Sequence, residues 1–324
     1  MGTYKALKGQ RVNSLSSDPS ADADSSGRMW YNTTSNALKY TGAGTGAWST
    51  GGSMSTTRNT GMGAGTSSSS FLATGGISSW PSSGNTSAET YNGTSWTGIN
   101  SISGGRFKAA GFGTISAAII ATGYKPYPTK ATSCEDYNGT SWTEINDVNN
   151  PKTNIQGTGD TSSAIMPCDA VCESWNGTSW SNVNVLNEDR ESITMCGTGT
   201  SALAINGSGA TTDVEEWNGT GWTEIANNSN GRTTGAAGGG PAKAILCSGT
   251  PTSGYPFNYV ESFNGTAWSA APATTQIRQT PLGGGTAASL ITAGGYTAPP
   301  ADTYLSSSEE WSKPVYATRT VTVS

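Results

Sequence analysis

Short apolar runs recur along a chain that is otherwise small and polar. They read F-L-A-T (71–74), A-I-I-A-T (118–122), A-L-A-I (202–205), A-I-L-C (244–247) and S-L-I-T-A (289–293). Each is too short for a helix, and no helical period appears anywhere, so each predicts a strand buried on both faces. Stretches of small residues come before several of them: G-M-G-A-G (61–65), G-F-G-T (111–114), G-T-G (157–159) and G-G-G (283–285). A variable loop follows each apolar run. Then come an acid, one intervening residue and an aromatic: Glu89 and Tyr91, Glu135 and Tyr137, Glu173 and Trp175, Glu215 and Trp217, Glu261 and Phe263, Glu309 and Trp311. Each unit opens on a basic residue: Arg58, Arg106, Lys152, Arg190, Arg232 or Arg278.

One phrase closes five of the units. It is Y-N-G-T-S-W at Tyr91 and Tyr137, W-N-G-T-S-W at Trp175, W-N-G-T-G-W at Trp217 and F-N-G-T-A-W at Phe263. The closing residues Trp96, Trp142, Trp180, Trp222 and Trp268 are spaced by 46, 38, 42 and 46 residues. A period of ~40–50 with a β signature in each copy predicts an array of small sheets. Asn-Gly between two strand-like runs predicts a tight hairpin of type I′, with both turn residues at positive φ. Each unit thus holds four strands. Small residues on the first strand suit a crowded hub. Aromatics on the outer hairpin, with Trp48 in phase before the first copy, suit the wider gap between sheets at the perimeter.

This order of elements closely resembles the kelch repeat of β-propellers, over residues 58–311. The resemblance implies an all-β propeller with four antiparallel strands per blade. Six openings imply six blades. The hairpin A-L-K-Y (37–40) to Trp48 lacks an inner partner, so residues of about 40–50 are expected to complete the blade begun at Arg278 and leave the ring without free edges. The alternative is seven blades, with S-K-P-V-Y-A-T-R-T-V-T-V-S (312–324) as extra strands. Several copies depart from the pattern by losing one Gly of the pair after the apolar run, and I-M-P-C-D-A-V-C (165–172) has lost both.

The first 28 residues do not follow the repeat. N-S-L-S-S-D-P-S-A-D-A-D-S-S-G (13–27) has the composition of a flexible segment. The division expected is a docking arm at 1–28 and a propeller at 29–324. G-R-M-W-Y-N-T-T-S-N-A-L-K-Y (27–40) resembles a short hairpin motif of tail and fibre proteins of bacterial viruses. That resemblance implies a virion setting, with other virion proteins as partners of the arm.

Composition narrows the classes. Charged residues are 12% and the net charge is -5, and no Lys/Arg cluster exists to neutralise phosphates, so no nucleic-acid partner is expected. No apolar stretch of ~18 residues predicts a membrane span. The opening M-G-T-Y-K-A-L-K-G-Q lacks an apolar signal core, so assembly in a host cytoplasm is expected. With no His, the commonest metal ligand and general base are missing, and no cofactor is expected. Cys134, Cys168, Cys172, Cys196 and Cys247 read as small buried hydrophobes in a reducing compartment; the Cys168/Cys172 spacing leaves a cross-strand disulfide open.

Three groups are candidates for sites. The N-G-T triplets at Asn92, Asn138, Asn176, Asn218 and Asn264 are formal glycosylation acceptors, but recurrence at one place in every hairpin favours a turn role. The basic residues and Glu89, Glu135, Glu173, Glu215, Glu261 and Glu309 start strands at the same end of a blade. They are expected to form structural ion pairs, within or between blades, in preference to a rim for an anionic glycan. The loops after the apolar runs differ between copies and carry aromatics stiffened by proline. Trp80, Tyr124, Tyr127, Tyr255, Phe257, Tyr296 and Tyr304 are candidates for a contact face, with packing onto their own scaffold the alternative.

The expectation that follows is a non-enzymatic virion component, a tail, fibre or decoration propeller that contacts a host-surface glycan or receptor, or neighbouring subunits, with homo-oligomers possible. A sialidase-like glycan enzyme is one alternative, since the N-G-T-S-W turn resembles an Asp-box. It lacks support because the arginines are spread one per unit rather than clustered. An intracellular kelch adaptor is the other alternative, and no helical recruitment domain is evident for it.

Overall fold

A computed structural model of the chain describes residues 12–21, 27–43, 46–77, 84–168, 170–251, 257–297, 303–312 and 316–321. Among them every regular element is a strand, and the strands form seven four-stranded sheets. The sheets fall in two compact units, 47–312 and 1–46 with 313–324.

The larger unit holds six sheets. Their innermost strands are Met62–Ser67, Ala110–Gly113, Thr158–Gly159, Thr194–Gly197, Ala236–Gly240 and Leu282–Thr286. Each packs against the next, and Leu282–Thr286 packs against Met62–Ser67. The arrangement is propeller-like. The second strands Ala118–Ala121 and Ala202–Ile205 are buried at every position, and Ser70–Thr74, Lys243–Cys247 and Ser289–Ala293 at every position but the first, because a sheet lies on either side. The cores sit between neighbouring sheets. Phe112, Ile119 and Ala121 meet Ile155, Met166 and Trp175, and Phe71, Ala73 and Tyr91 of the first sheet meet Leu282, Ile291 and Ala293 of the last.

Small residues line the hub. A cavity of about 380 Å³ is bordered by the inner strands of all six sheets, including Gly63, Gly111, Gly157, Gly197, Gly239 and Gly285. A Cβ on Gly111 would lie 2.8 Å from Met62 Cβ, and one on Gly238 would lie 2.9 Å from the Gly285 carbonyl. Only residues without bulk let backbones approach this closely.

The glycine that follows the second strand ties each sheet to the next. Gly76, Gly123, Gly207, Gly249 and Gly295 donate their N–H to the carbonyls of Arg106, Lys152, Arg232, Arg278 and Arg58, at 2.8, 2.9, 3.2, 3.0 and 2.6 Å. All five glycines have positive φ. The third unit, which lacks the glycine pair, has no such bond among the described residues. The last of these bonds joins the last sheet of the larger unit to its first.

The last sheet is shared by both ends of the larger unit. Ala47–Thr50 pairs antiparallel with Ser308–Ser312, in the register Trp48 with Trp311. This is the fourth strand expected from residues of about 40–50. The expected hairpin from 37–40 to Trp48 does not form. Ser308–Ser312 supplies the third strand instead, and Ala37–Ala43 joins the smaller unit.

In that smaller unit Asn13–Leu15 pairs parallel with Met29–Asn32, which pairs antiparallel with Ala37–Ala43, which pairs with Tyr316–Thr320. The expected boundary at 28/29 is therefore corrected to 46/47, and 313–324 leaves the propeller-like unit. The expected arm contributes a strand, and the C-terminal residues supply one to a seventh sheet, the sheet count foreseen by the seven-blade alternative. Asp18 holds this unit together. It accepts hydrogen bonds from Lys39 Nζ (2.7 Å), Asn32 Nδ2 (2.6 Å) and Trp30 Nε1 (3.0 Å). The Lys39 and Asn32 bonds keep its carboxyl below the usual value. Trp30, Asn32 and Lys39 all belong to the hairpin of residues 27–40, and Asp18 precedes it.

The hairpin turns also differ from expectation. Of each Asn-Gly pair only the glycine has positive φ, as in Gly139 at 90°. Asn138 stays outside the left-handed region because its side chain closes the turn. Its Oδ1 accepts the N–H groups of Thr140 (3.0 Å) and Ser141 (2.9 Å), and Asn92, Asn176, Asn218 and Asn264 do the same. Two local bonds stabilise a four-residue loop that a two-residue I′ turn would not contain. Asn138→Ala is expected to lower stability by about 1 kcal/mol in urea unfolding. An unchanged midpoint would show that the turn does not need the side chain.

Candidate functional site

The inner strand of each sheet begins where the second strand ends and the third begins. The opening basic residues, the repeated glutamates and the variable loops therefore gather at one end of every sheet. Six ion pairs form there, each within one sheet. Arg58 Nη2 lies 3.0 Å from Glu89, Arg106 Nη2 2.5 Å from Glu135 and Lys152 Nζ 2.8 Å from Glu173. Arg190 Nη1 lies 2.5 Å from Glu215, Arg232 Nη2 2.5 Å from Glu261 and Arg278 Nη2 3.5 Å from Glu309. All twelve residues are buried.

Each pair is embedded in further hydrogen bonds. The residue three before the basic one donates its backbone N–H to the same glutamate: Ser55, Ser103, Asn149, Asn187, Ser229 and Thr275. The guanidinium groups bind loop carbonyls. Arg58 Nη1 donates to Gly75 and Ser87, Arg278 Nη1 to Gly294 and Ser307, and Arg232 Nη1 to Ser248 and Tyr259. The pair thus clips the variable loop to the scaffold. Burial pushes the Arg58, Arg106 and Arg278 guanidinium groups below their ordinary value, with the paired glutamate opposing, and pushes Arg232 down to about 10.

Glu173 shows how such a carboxylate depends on pH. Burial raises its pKa, but the Lys152 ammonium and the N–H of Asn149 outweigh burial, and the net position is below the ordinary 4.5. A depressed carboxylate adds stability that is complete above its unfolded pKa and is lost as pH falls through the folded one. Urea midpoints compared at pH 6 and pH 3 are expected to fall further in the wild type than in a Lys152→Met/Glu173→Leu double variant. Equal falls would contradict this origin of acid sensitivity.

The outer aromatics stack in six equivalent pairs. Ring centroids are 5.0 Å apart for Tyr91–Trp96, 4.9 Å for Tyr137–Trp142, 5.2 Å for Trp175–Trp180, 5.3 Å for Trp217–Trp222, 5.0 Å for Phe263–Trp268 and 5.5 Å for Trp311–Trp48. Trp48, Trp96, Trp142 and Trp268 each donate Nε1–H to a carbonyl of the preceding sheet, those of Pro272, Gly52, Asn100 and Ala226. These pairs are scaffold.

The loop aromatics divide. Tyr124 packs between Phe107 (5.3 Å) and Tyr127 (5.1 Å), and Tyr127 is 52% exposed. Phe257 lies under the Arg232 guanidinium at 4.5 Å and against Tyr259 at 5.0 Å. Tyr259 is 54% exposed, a surface aromatic outside the candidate set that ends the stretch Y-P-F-N-Y (255–259) holding Tyr255 and Phe257. Tyr296 and Tyr304 form a bridge across their loop, with rings 6.1 Å apart. Trp80 and Tyr255 lie outside the described residues. In each described loop, then, one aromatic is held by the scaffold. In two of them another aromatic, Tyr127 or Tyr259, faces solvent.

Cys134, Cys196 and Cys247 are buried free thiols, pushed up to about 12 by burial. Among the described residues no cluster of three or more His, Cys, Asp or Glu side chains could hold a metal ion.

No family model and no curated protein matches the chain. Among solved structures, one titled "Structure of YjhT" is similar, with a TM-score of 0.67 at 13% identity, covering 82% of this chain and 99% of that one. At that identity the likeness concerns the fold alone.

Proposed function

We propose that the chain is a non-catalytic binding propeller of six blades, the six sheets of residues 47–312, and that the smaller sheet is a separate docking unit. The observation that carries this reading is the fate of the repeated charges. Every opening basic residue and every repeated glutamate is consumed in a buried pair, and the five arginines also bind loop carbonyls, which leaves none of them for chemistry. What varies between blades is the aromatic content of those loops, and binding surfaces concentrate where repeats differ.

The setting we propose is a virion, on the W-Y-N-T-T hairpin and its Asp18 network. The smaller unit would attach the chain to other virion proteins, and Tyr127 and Tyr259 would meet a host-surface glycan or receptor. Aromatic faces supply such contact at low entropic cost. The test is glycan-array and host-cell binding by the wild type and by a Tyr127→Ala/Tyr259→Ala variant. The variant is expected to lose at least about tenfold in apparent affinity, as for loss of a contact hot spot. Wild-type binding that survives both changes would remove this face.

A further inference from the structure

The basic residues mark a second, inner ring. Two positions after each of them stand Thr60, Lys108, Asn154, Ser192, Thr234 and Thr280. All six have left-handed φ, between 43° and 58°. Three are threonines, for which this region is an outlier. Their backbones are linked around the axis: Thr60 N–H donates to Thr280 O (3.4 Å), Lys108 to Thr60 (2.9 Å), Ser192 to Asn154 (2.9 Å) and Thr234 to Ser192 (2.9 Å). The linkage explains why residues of unrelated type share one conformation.

These six residues surround a pocket of about 180 Å³ at the entrance to the hub, floored by Ala109, Ile155 and Ile193. The space admits several water molecules or a small ligand. Its lining mixes hydroxyl and amide side chains with apolar residues, Gly61 and Pro281 among them, and Lys108 is the one charged residue in it. Lys108 is half-buried and has no ion pair or side-chain hydrogen bond among the described residues. Thr234 Oγ1, also in the lining, is buried without a hydrogen-bond partner. The neighbouring carboxylate, Glu191, is bound by Asn154 Nδ2 at 3.3 Å and is not among the lining residues.

We propose that this mouth binds a small oxyanion-bearing polar molecule, with Lys108 as counter-charge and the Thr234 hydroxyl as a hydrogen-bonding group. A lone ammonium in a low-charge pocket attracts an anion with little competition, and a charge-assisted bond there is stronger than a neutral one. The site goes beyond the attachment reading and does not depend on it, since it uses the ring and not the loop aromatics.

The test is ligand-observed NMR and calorimetric titration of the full chain with glucuronate, inorganic phosphate and, as a neutral control, glucose. At least one anion is expected to bind, with glucose about tenfold weaker or more. Lys108→Gln is expected to weaken the anion about tenfold, while Lys108→Arg stays within about threefold of wild type. Thr234→Val is expected to weaken it by about threefold or more. Thermal melts establish that each variant is folded. If Lys108→Gln does not fold, the Thr234→Val and glucose comparisons decide. Absence of binding by both anions, equal binding of glucose, or an affinity indifferent to Lys108 and Thr234 would overturn the proposal. The Tyr127→Ala/Tyr259→Ala variant is expected to bind these probes as the wild type does, which keeps the two sites distinguishable.

Discussion

Arg232→Met is expected to destabilise the protein by about 3–5 kcal/mol, because it leaves the buried Glu261 carboxylate without its counter-charge. Glu261 is 2% exposed and, among the described residues, would keep only the N–H of Ser229. The same change frees the carbonyls of Ser248 and Tyr259 and removes the cation over Phe257. A fall in Tm on the order of 10 °C follows from that cost. Changing both partners, Arg232→Met with Glu261→Leu, removes the orphaned charge and is expected to recover most of the loss, since apolar replacement of a whole buried pair is often neutral. A double variant as unstable as the single one would show that the loop carbonyls, and not the charge, dominate. Either single or double change is expected to loosen the loop carrying Tyr259, so proteolysis in 250–259 should quicken.

Gly283→Ala is the second large effect. The added Cβ would lie 2.2 Å from Ala236 Cβ and 3.1 Å from Ile291 O. Both neighbours belong to packed strands, one of them in the adjacent sheet, so neither can withdraw without moving an inner strand. Overpacking of this kind costs about 1–3 kcal/mol or more. Gly98→Ala is the internal control. It sits on an exposed outer strand with nothing within 4 Å of its added Cβ, so its effect is expected within about 0.5 kcal/mol. Similar melting points for the two variants would contradict a hub that is crowded while the perimeter is open.

What was legible in the sequence and what was not can be traced to particular residues. The pairing of Arg58 with Glu89 and its equivalents could be anticipated because antiparallel strands bring both to one end whatever the loop between them. Small residues at 61–65 and 283–285 pointed to a hub because crowding excludes a Cβ there. The type of the N-G-T-x-W turn was misread because the Asn side chain, and not only its backbone, shapes the loop. Residues 37–40 looked like the missing third strand, since they alternate and precede a glycine-rich turn and Trp48. Ser308–Ser312 takes that place because it is the next strand after the second strand of its own sheet and pairs with it. Ala37–Ala43 instead follows its shorter hairpin with Met29–Asn32. The ring from Thr60 to Thr280 was invisible, because its members share a backbone conformation imposed by neighbouring sheets and no side-chain chemistry. Tyr259 could have been found as the last aromatic of a loop already singled out.

The central physical claim is that the first strand of the larger unit completes its last sheet, so that sheets separated by the whole unit become neighbours. Ala47 and Ser312 are opposed across that join, and both are exposed. In a protein carrying Ala47→Cys and Ser312→Cys, mild oxidation is expected to link the two peptides, since opposed residues of an antiparallel pair lie ~4.5–5.5 Å apart, within disulfide reach. The crosslink should be found by mass mapping and should raise Tm relative to the reduced form. Two thiols that remain separate under oxidation, in a folded protein, would contradict the closure.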